Sequence, residues 1–272
     1  MKAKVHKEMA NFTAKDVQNL RAETGAGMMD AKKALVECDG DLEKARTWLR
    51  ENGLAGSLKR SARENTQGAL AIQQDESGSV LVEVKCETDF VAKSQEFVTF
   101  VEKFAAAVLR VGEGEAKSEL EDELVKLKTT LKENIDIGKV SLVKKNDNVI
   151  GSYLHLQNGR GVNGVLVELD SGSEELAHDI AVHIAFAKPL YLSREEIPES
   201  ELEKERSTIE TISKNEGKPE AALPKIIEGR LNGWYKEICL LDQAYVKDEK
   251  VRIQELLGAS KIKSFIQAFI GD

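Results

Sequence analysis

Three cysteines, Cys38, Cys86 and Cys239, are odd in number and far apart, which excludes a disulfide framework and leaves no paired zinc-ligand spacing. So sparse a thiol inventory fits a reducing compartment, and a cytoplasmic location is expected. Long apolar runs are missing as well: nothing approaches the roughly 20 residues that a membrane-spanning helix needs. The basic start, Met1 to Glu8, has no apolar segment of signal-peptide length behind it. Excess positive charge is also absent. With 39 Lys and Arg against 47 Asp and Glu, the net charge is -8 and the pI about 5.3, which argues against a broad phosphate-binding face, although a local basic patch stays open. Neither a membrane nor nucleic acid is an expected partner.

The residue patterns of covalent catalysis are missing too. His6, His155, His178 and His183 have no nucleophile placed in a recognisable motif, no glycine loop of the phosphate-binding types occurs, and no metal-ligand cluster stands out. No catalytic residue, metal or cofactor is therefore assigned, and binding is the expected activity. What is present is 41% apolar and 32% charged residue content over 272 residues. That is a globular composition with a heavily solvated surface and length for about two domains.

Residues 12 to 56 read as three short helices. Thr13 and Asp16 form a box-like start for the first, and Thr24 to Gly27 must turn tightly. The second carries Ala31, Ala34, Leu35 and Cys38 on one side. Asp41 is placed to cap the third, whose natural stop is Asn52, Gly53. Ser57 to Gly68 is polar and basic, a linker or a solvated helix. Asp75 to Gly78 separates two alternating segments as a hairpin turn, and a helix with Phe97, Phe100, Val101, Phe104 and Val108 follows Ser94. A similar unit recurs: Val80 to Val84 has an echo in Val165 to Leu169, with the turn Asn158 to Gly161 before it and the stripe Leu176, Ile180, Ile184 after it. Residues 194 to 228 are charged and helical in pattern, broken at Asn215 to Pro219, which predicts an antiparallel helical hairpin. Trp234, Tyr235 and Ile238 lead back to the core, and Ile262 to Ile270 reads as a strand.

Two stretches carry a family resemblance. Glu83-Val84-Lys85-Cys86-Glu87-Thr88-Asp89-Phe90-Val91-Ala92-Lys93 resembles the signature of bacterial elongation factor Ts, the family of exchange factors for elongation factor Tu. Upstream, Leu20-Arg21-Ala22-Glu23-Thr24-Gly25-Ala26-Gly27-Met28-Met29-Asp30-Ala31-Lys32-Lys33-Ala34-Leu35 is similar to a second signature, in the family's order. The resemblance runs from Asn11 to Gly271. It implies an α+β protein with an N-terminal three-helix ubiquitin-associated-like module, two α+β subdomains with antiparallel sheets, and a helical-hairpin, coiled-coil arm. The expected division is a 1–11 extension, the module over 12–56, core subdomain N over 57–147, core subdomain C over 148–193 and 229–272, and the arm over 194–228. Lys85 stands where the family usually has Asn, and the end, Phe265 to Gly271, lacks charges common there. Longer members add a helical module beyond this point, so its partner contact is not expected here.

The partner-binding residues implied for elongation factor Tu are Thr88, Asp89, Phe90, Arg21, Met28, Met29, Lys32, Leu131 and His155. By the resemblance, Phe90 wedges between partner helices beside the magnesium site while Asp89 supports the displaced arrangement, and Arg21, Met28, Met29 and Lys32 meet a helix of the nucleotide domain. Leu131, in Leu131-Lys132-Glu133-Asn134-Ile135, and His155, in Gly151-Ser152-Tyr153-Leu154-His155, match short family motifs with partner contacts. Local readings stand beside these. Thr88 or Asp89 is also suited to cap a helix with Phe90 in its core. Of Met28 and Met29, one would enter the small core and one stay exposed. Arg21 and Lys32 would be solvated, His155 would be a surface residue, and His183 a satisfied core or groove histidine. The functional expectation is promotion of GDP release from elongation factor Tu; the rival is a binding adaptor that holds a ribosome-associated or nascent-chain partner. Pairing of two copies through the arm is left open.

Overall fold

The computed structural model describes residues 11–271, so the expected 1–11 extension lies outside the described residues apart from Asn11. Three helices come first: α1 (Ala14–Thr24), α2 (Met28–Glu37) and α3 (Leu42–Arg60). Thr13 and Asp16 cap α1 reciprocally, the Thr13 N–H donating to Asp16 Oδ2 at 2.7 Å. Gly25 then turns the chain at φ +70°, where a Cβ is disfavoured. Asp41 Oδ1 accepts the Glu43 and Lys44 N–H groups, each at 3.1 Å, and so opens α3. Leu20, Ala31, Ala34, Leu35 and Ala45 are completely buried between the three helices.

The third helix does not stop at Asn52, Gly53. Asn52 donates its side-chain N–H back to the Trp48 carbonyl at 2.9 Å, and α3 runs on to Arg60. Gly53 is a packing residue: a Cβ there would lie 2.8 Å from Thr129 Oγ1. Close packing on a neighbouring helix outweighs the roughly 1 kcal/mol that a mid-helix glycine costs relative to alanine. The polar connection is correspondingly shorter, since the first strand begins at Gln67.

The strands β1 (Gln67–Asp75) and β2 (Gly78–Cys86) form a hairpin that pairs Asp75 with Gly78. Asp75 Oδ1 accepts from the Ser77 N–H at 2.7 Å and closes its two-residue turn. After the single-turn helix α4 (Asp89–Ala92) come α5 (Gln95–Val111), α6 (Glu113–Glu119), α7 (Glu121–Leu131) and β3 (Asp136–Lys144), which pairs antiparallel with β2. Val80, Val82, Val84 and Cys86, on one face of β2, pack against Phe97, Phe100 and Phe104 of α5. The unit is then repeated by β4 (Val149–Gln157), β5 (Arg160–Leu169) and α8 (Glu174–Ala187). Asn158 and Gly159 both have left-handed φ, the requirement of a two-residue hairpin.

A helical hairpin follows, α9 (Glu199–Asn215) and α10 (Leu223–Ile238), before β6 (Ala244–Tyr245), β7 (Asp248–Arg252), α11 (Ile253–Leu257) and β8 (Ile262–Phe269). The second helix of the hairpin is longer than its charge pattern indicates. Trp234 and Tyr235 remain on α10 and pack with Leu202 against Ile209, Leu223, Ile227 and Leu231 rather than returning to the core. The chain turns back only at Cys239, which bridges to Tyr191.

The main sheet has the order β3-β2-β1-β5-β4, with β8 also on β5. The register of β1 and β5 holds only Leu70 opposite Gly161, because β8 takes the same edge of β5 from Asn163 onward. The two halves therefore part, and their inner faces meet: Leu70 and Leu81 from one half pack with Leu166 and Ala268 from the other. Gly164 permits this approach, since a Cβ there would sit 2.5 Å from Leu81 Cδ1. The outer faces are covered by α5 and α8. Mixed helix and antiparallel sheet make the chain α+β.

His183 of α8 is buried, as its place between Ile180 and Ile184 predicts. Its Nδ1 accepts the Val246 N–H at 3.2 Å, which leaves Nε2–H to donate to Gln243 Oε1 at 3.0 Å. Burial pushes its pKa below the usual 6.5. The folded state thus disfavours the imidazolium, so stability is complete above pH ~6.5 and falls as the pH drops from there towards the depressed folded value, where the unfolded chain binds the extra proton. The gap in melting temperature between the wild type and His183→Gln should accordingly shrink between pH 7.5 and 5.5. Thermal unfolding across that range checks it; a gap that is constant or widens contradicts the neutral, tautomer-fixed histidine.

Candidate functional site

Strand β2 ends at Cys86, and two residues later the chain enters α4. Thr88 is extended (φ -121°, ψ 153°), and its Oγ1 accepts the Val91 N–H at 3.3 Å, so it is the N-cap. Ala92 is fully buried and Val91 packs against the α5 core. Successive residues on a helix point about 100° apart, as follows from 3.6 residues per turn. With Val91 and Ala92 turned inward, Phe90 is turned out and is 80% exposed. The capping role read for Thr88 holds, and the reading of Phe90 as a core residue does not.

Asp89 is half-exposed and paired with Lys93 one turn on. The Lys93 ammonium holds its carboxyl below the usual carboxylate range, with a further contribution from the Arg160 charge. The same ammonium lies 5.9 Å from the Phe90 ring centre. The tip is therefore an ionised carboxylate beside a bare aromatic, mounted on an immobilised turn. Under it, the Cys86 thiol donates to the Thr88 carbonyl at 3.3 Å and is pushed up to about 12, chiefly by burial. It is an inert core thiol at neutral pH. Among the described residues, no cluster of three or more His, Cys, Asp or Glu could hold a metal, and no helix is long and apolar enough to cross a membrane.

At the start of α2, Met28 and Met29 are 42% and 73% exposed, so neither fills the small core. Ala31, Ala34 and Leu35 occupy that space, leaving both thioethers outside. Arg21 and Lys32 are exposed as well. Leu131 is half-buried against the α5 core. Its next neighbour, Lys132, bonds Asp30 on α2 at 2.7 Å, which links the methionine surface to the side of the protein that carries the tip. His155 stands elsewhere, exposed on β4 with its Nδ1 3.3 Å from Tyr153 Oη. It borders a groove of about 480 Å³ that also includes Val162, Phe186 and Phe269. Phe186 is 75% exposed, and its one mark in the sequence is that it breaks the phase of the Ile180, Ile184 stripe. Glu133 and Asn134 brace the tip from the loop after α7, and nothing in the sequence marks them beyond their presence in the Leu131 to Ile135 stretch.

Two stability measurements follow from this geometry. Thr88→Ala should cost about 1 kcal/mol through the lost cap. Phe90→Ala should change stability by less than about 0.5 kcal/mol, because the ring has little protein around it. Urea unfolding of both variants checks the pair; a large loss from Phe90→Ala would mean that the ring is part of the core.

Comparison with known proteins gives a consistent result. Residues 87–272 match the family model described as "Elongation factor TS". The chain is 43% identical to the elongation factor Ts of Clavibacter sepedonicus, over 93% of this chain and 95% of that protein. It is 42% identical to that of Streptomyces griseus subsp. griseus and 41% identical to that of Corynebacterium aurimucosum, each over 97% of this chain and 100% of the relative. With a family model covering more than half its length and relatives matched nearly end to end, this chain belongs to the elongation factor Ts family.

Proposed function

We propose that this protein is a guanine nucleotide exchange factor that binds elongation factor Tu and promotes GDP release during translation elongation in the cytoplasm. The observation that carries this reading is Phe90, a large aromatic held out in solvent on an anchored turn beside an ionised acid. Burying such a ring is worth roughly 1.5 to 3 kcal/mol. Spent inside a partner, that free energy offsets a distortion which spoils the geometry of the partner's magnesium and phosphate ligands. Asp89 supports the displaced arrangement. Thr88 keeps the turn wound, and Arg21, Met28, Met29 and Lys32 engage a helix of the nucleotide domain with a deformable, charge-flanked surface. Leu131 acts from behind the surface, and His155 contributes from the second half of the sheet.

Exchange of this kind is a coupling between binding sites: the factor binds the nucleotide-free partner best, so it weakens GDP and GDP weakens it by the same factor. No bond is made or broken, so the protein is not an enzyme in the chemical sense and needs no cofactor of its own. The three N-terminal helices are read as a ubiquitin-associated-like module ending near Arg60 rather than residue 56, since α3 continues to that point. The pair α9 and α10 is read as the coiled-coil arm, extended to Ile238. An adaptor that held its partner through the three-helix module would not need a bare aromatic next to an acid at the end of β2.

Release of a fluorescent GDP analogue from elongation factor Tu tests the proposal. Wild-type protein should accelerate it, and Phe90→Ala should be slower by on the order of tenfold, equivalent to about 1.4 kcal/mol of lost transition-state stabilisation. A folded Phe90→Ala variant that exchanges at the wild-type rate sinks the assignment.

A further inference from the structure

The N–H groups of Glu87 and Thr88 have left the sheet and not yet entered α4; β2 pairing ends at Cys86, and the first helical bond is from Ala92 to the Thr88 carbonyl. Both donors go to a single side chain. Glu133 Oε2 accepts the Glu87 N–H at 3.0 Å and the Thr88 N–H at 3.1 Å, and Glu133 Oε1 accepts the Thr88 hydroxyl. With its O–H directed at Glu133, that hydroxyl is oriented to accept the Val91 N–H and cap α4. One carboxylate therefore sets both the strand exit and the helix start on either side of the Asp89, Phe90 tip.

The segment that supplies it is itself clamped. Leu131 is half-buried and Ile135 fully buried in the same core as Val91 and Ala92. Between them Lys132 is the left-handed C-cap of α7 (φ +58°), its N–H bonding the Lys128 carbonyl at 3.1 Å, so the chain turns sharply there. From this kink the next two side chains reach different parts of the protein. Glu133 goes to the tip. Asn134 donates its side-chain N–H groups to the Ser61 and Arg63 carbonyls, at 3.3 and 2.7 Å, while its backbone N–H bonds Glu87 Oε1 at 2.6 Å. Lys132 itself bonds Asp30 at 2.7 Å, two residues after Met28.

We propose that Glu133 is a positioning residue for nucleotide exchange: it pre-orders the Thr88, Asp89, Phe90 turn so that the aromatic enters the partner without first losing conformational freedom. This rests on the exchange reading above. The physical basis is preorganisation, since ordering a loop at the moment of binding is subtracted from the binding free energy. Glu133 touches neither the partner nor the nucleotide in this scheme; it acts only through the tip.

The test combines a double-mutant cycle with hydrogen exchange. In stimulated GDP release from elongation factor Tu, Glu133→Ala should reduce the maximal rate about tenfold with a much smaller change in the concentration giving half-maximal rate. Glu133→Gln keeps one acceptor oxygen for the two N–H groups and should lose about threefold. In the Phe90→Ala background, Glu133→Ala should cost less than twofold, because there is no longer an aromatic to position. A full tenfold loss in that background would overturn the proposal, as the residue would then act through general stability. In the free protein, amide exchange at Glu87 and Thr88 should be at least tenfold faster in Glu133→Ala, and unchanged protection there overturns the proposal without reference to nucleotide. A wild-type rate for Phe90→Ala alone would instead strike the exchange reading, so the two failures are distinguishable. If Glu133→Ala does not fold, Glu133→Gln carries both measurements, with a rate and amide protection equal to wild type counting against the role.

Discussion

A one-turn helix cannot bury three successive side chains, and much of the candidate site depends on that constraint. Val91 and Ala92 belong to the core built on Phe97, Phe100 and Phe104, so the residue before them has nowhere to go but outward. The exposure of Phe90 follows from the packing of its neighbours and not from any local preference of phenylalanine. A ring of that size would otherwise be among the first groups removed from water. The fold maintains this local cost at Phe90, as it also does at Phe186, and it is the pattern expected where binding to a partner recovers it.

The rest of the architecture places surfaces around that point. Two hairpin-and-helix units lie with their sheets' inner faces together, divided because β8 displaces β1 along β5. Arg160 crosses the division: it is buried at the β4–β5 turn and donates to the Gly68 carbonyl at 2.5 Å, close to where β2 releases the tip. Its charge is felt at Asp89. The three N-terminal helices reach the same region through α7, by the close approach of Gly53 to Thr129 and the bond between Lys132 and Asp30. Methionine surface, tip and second sheet are thus held by separate contacts to one core, which suits the proposed engagement of a partner at several points at once.

Much of this was legible in the sequence because it is local. Thr13 with Asp16, Asp41, Ser94 and the Asp75 to Gly78 turn are short-range devices whose chemistry is written within three or four residues, and each forms as the pattern predicts. The misreadings come where a distant group decides the outcome. Asn52, Gly53 has the composition of a helix stop, yet Thr129 makes the glycine a packing contact. Trp234 and Tyr235 read as a return to the core, but Leu202 and Leu231 supply apolar partners within the hairpin. Met28 and Met29 are left outside because Ala31, Ala34 and Leu35 already fill the core beneath them. The bracing by Glu133 was illegible for the same reason: its partners lie more than forty positions away, and no periodicity marks a single carboxylate that bonds loop backbone.

Exchange requires a coupling free energy between this protein and the nucleotide on its partner. Calorimetric titration of the protein into elongation factor Tu, once nucleotide-free and once loaded with GDP and magnesium, measures that quantity directly. Exchange requires much tighter binding to the nucleotide-free form, with no heat when GDP is titrated into this protein alone. Equal affinity for the two forms would mean that nothing is coupled, and would leave the exposed Phe90 to serve adhesion rather than exchange.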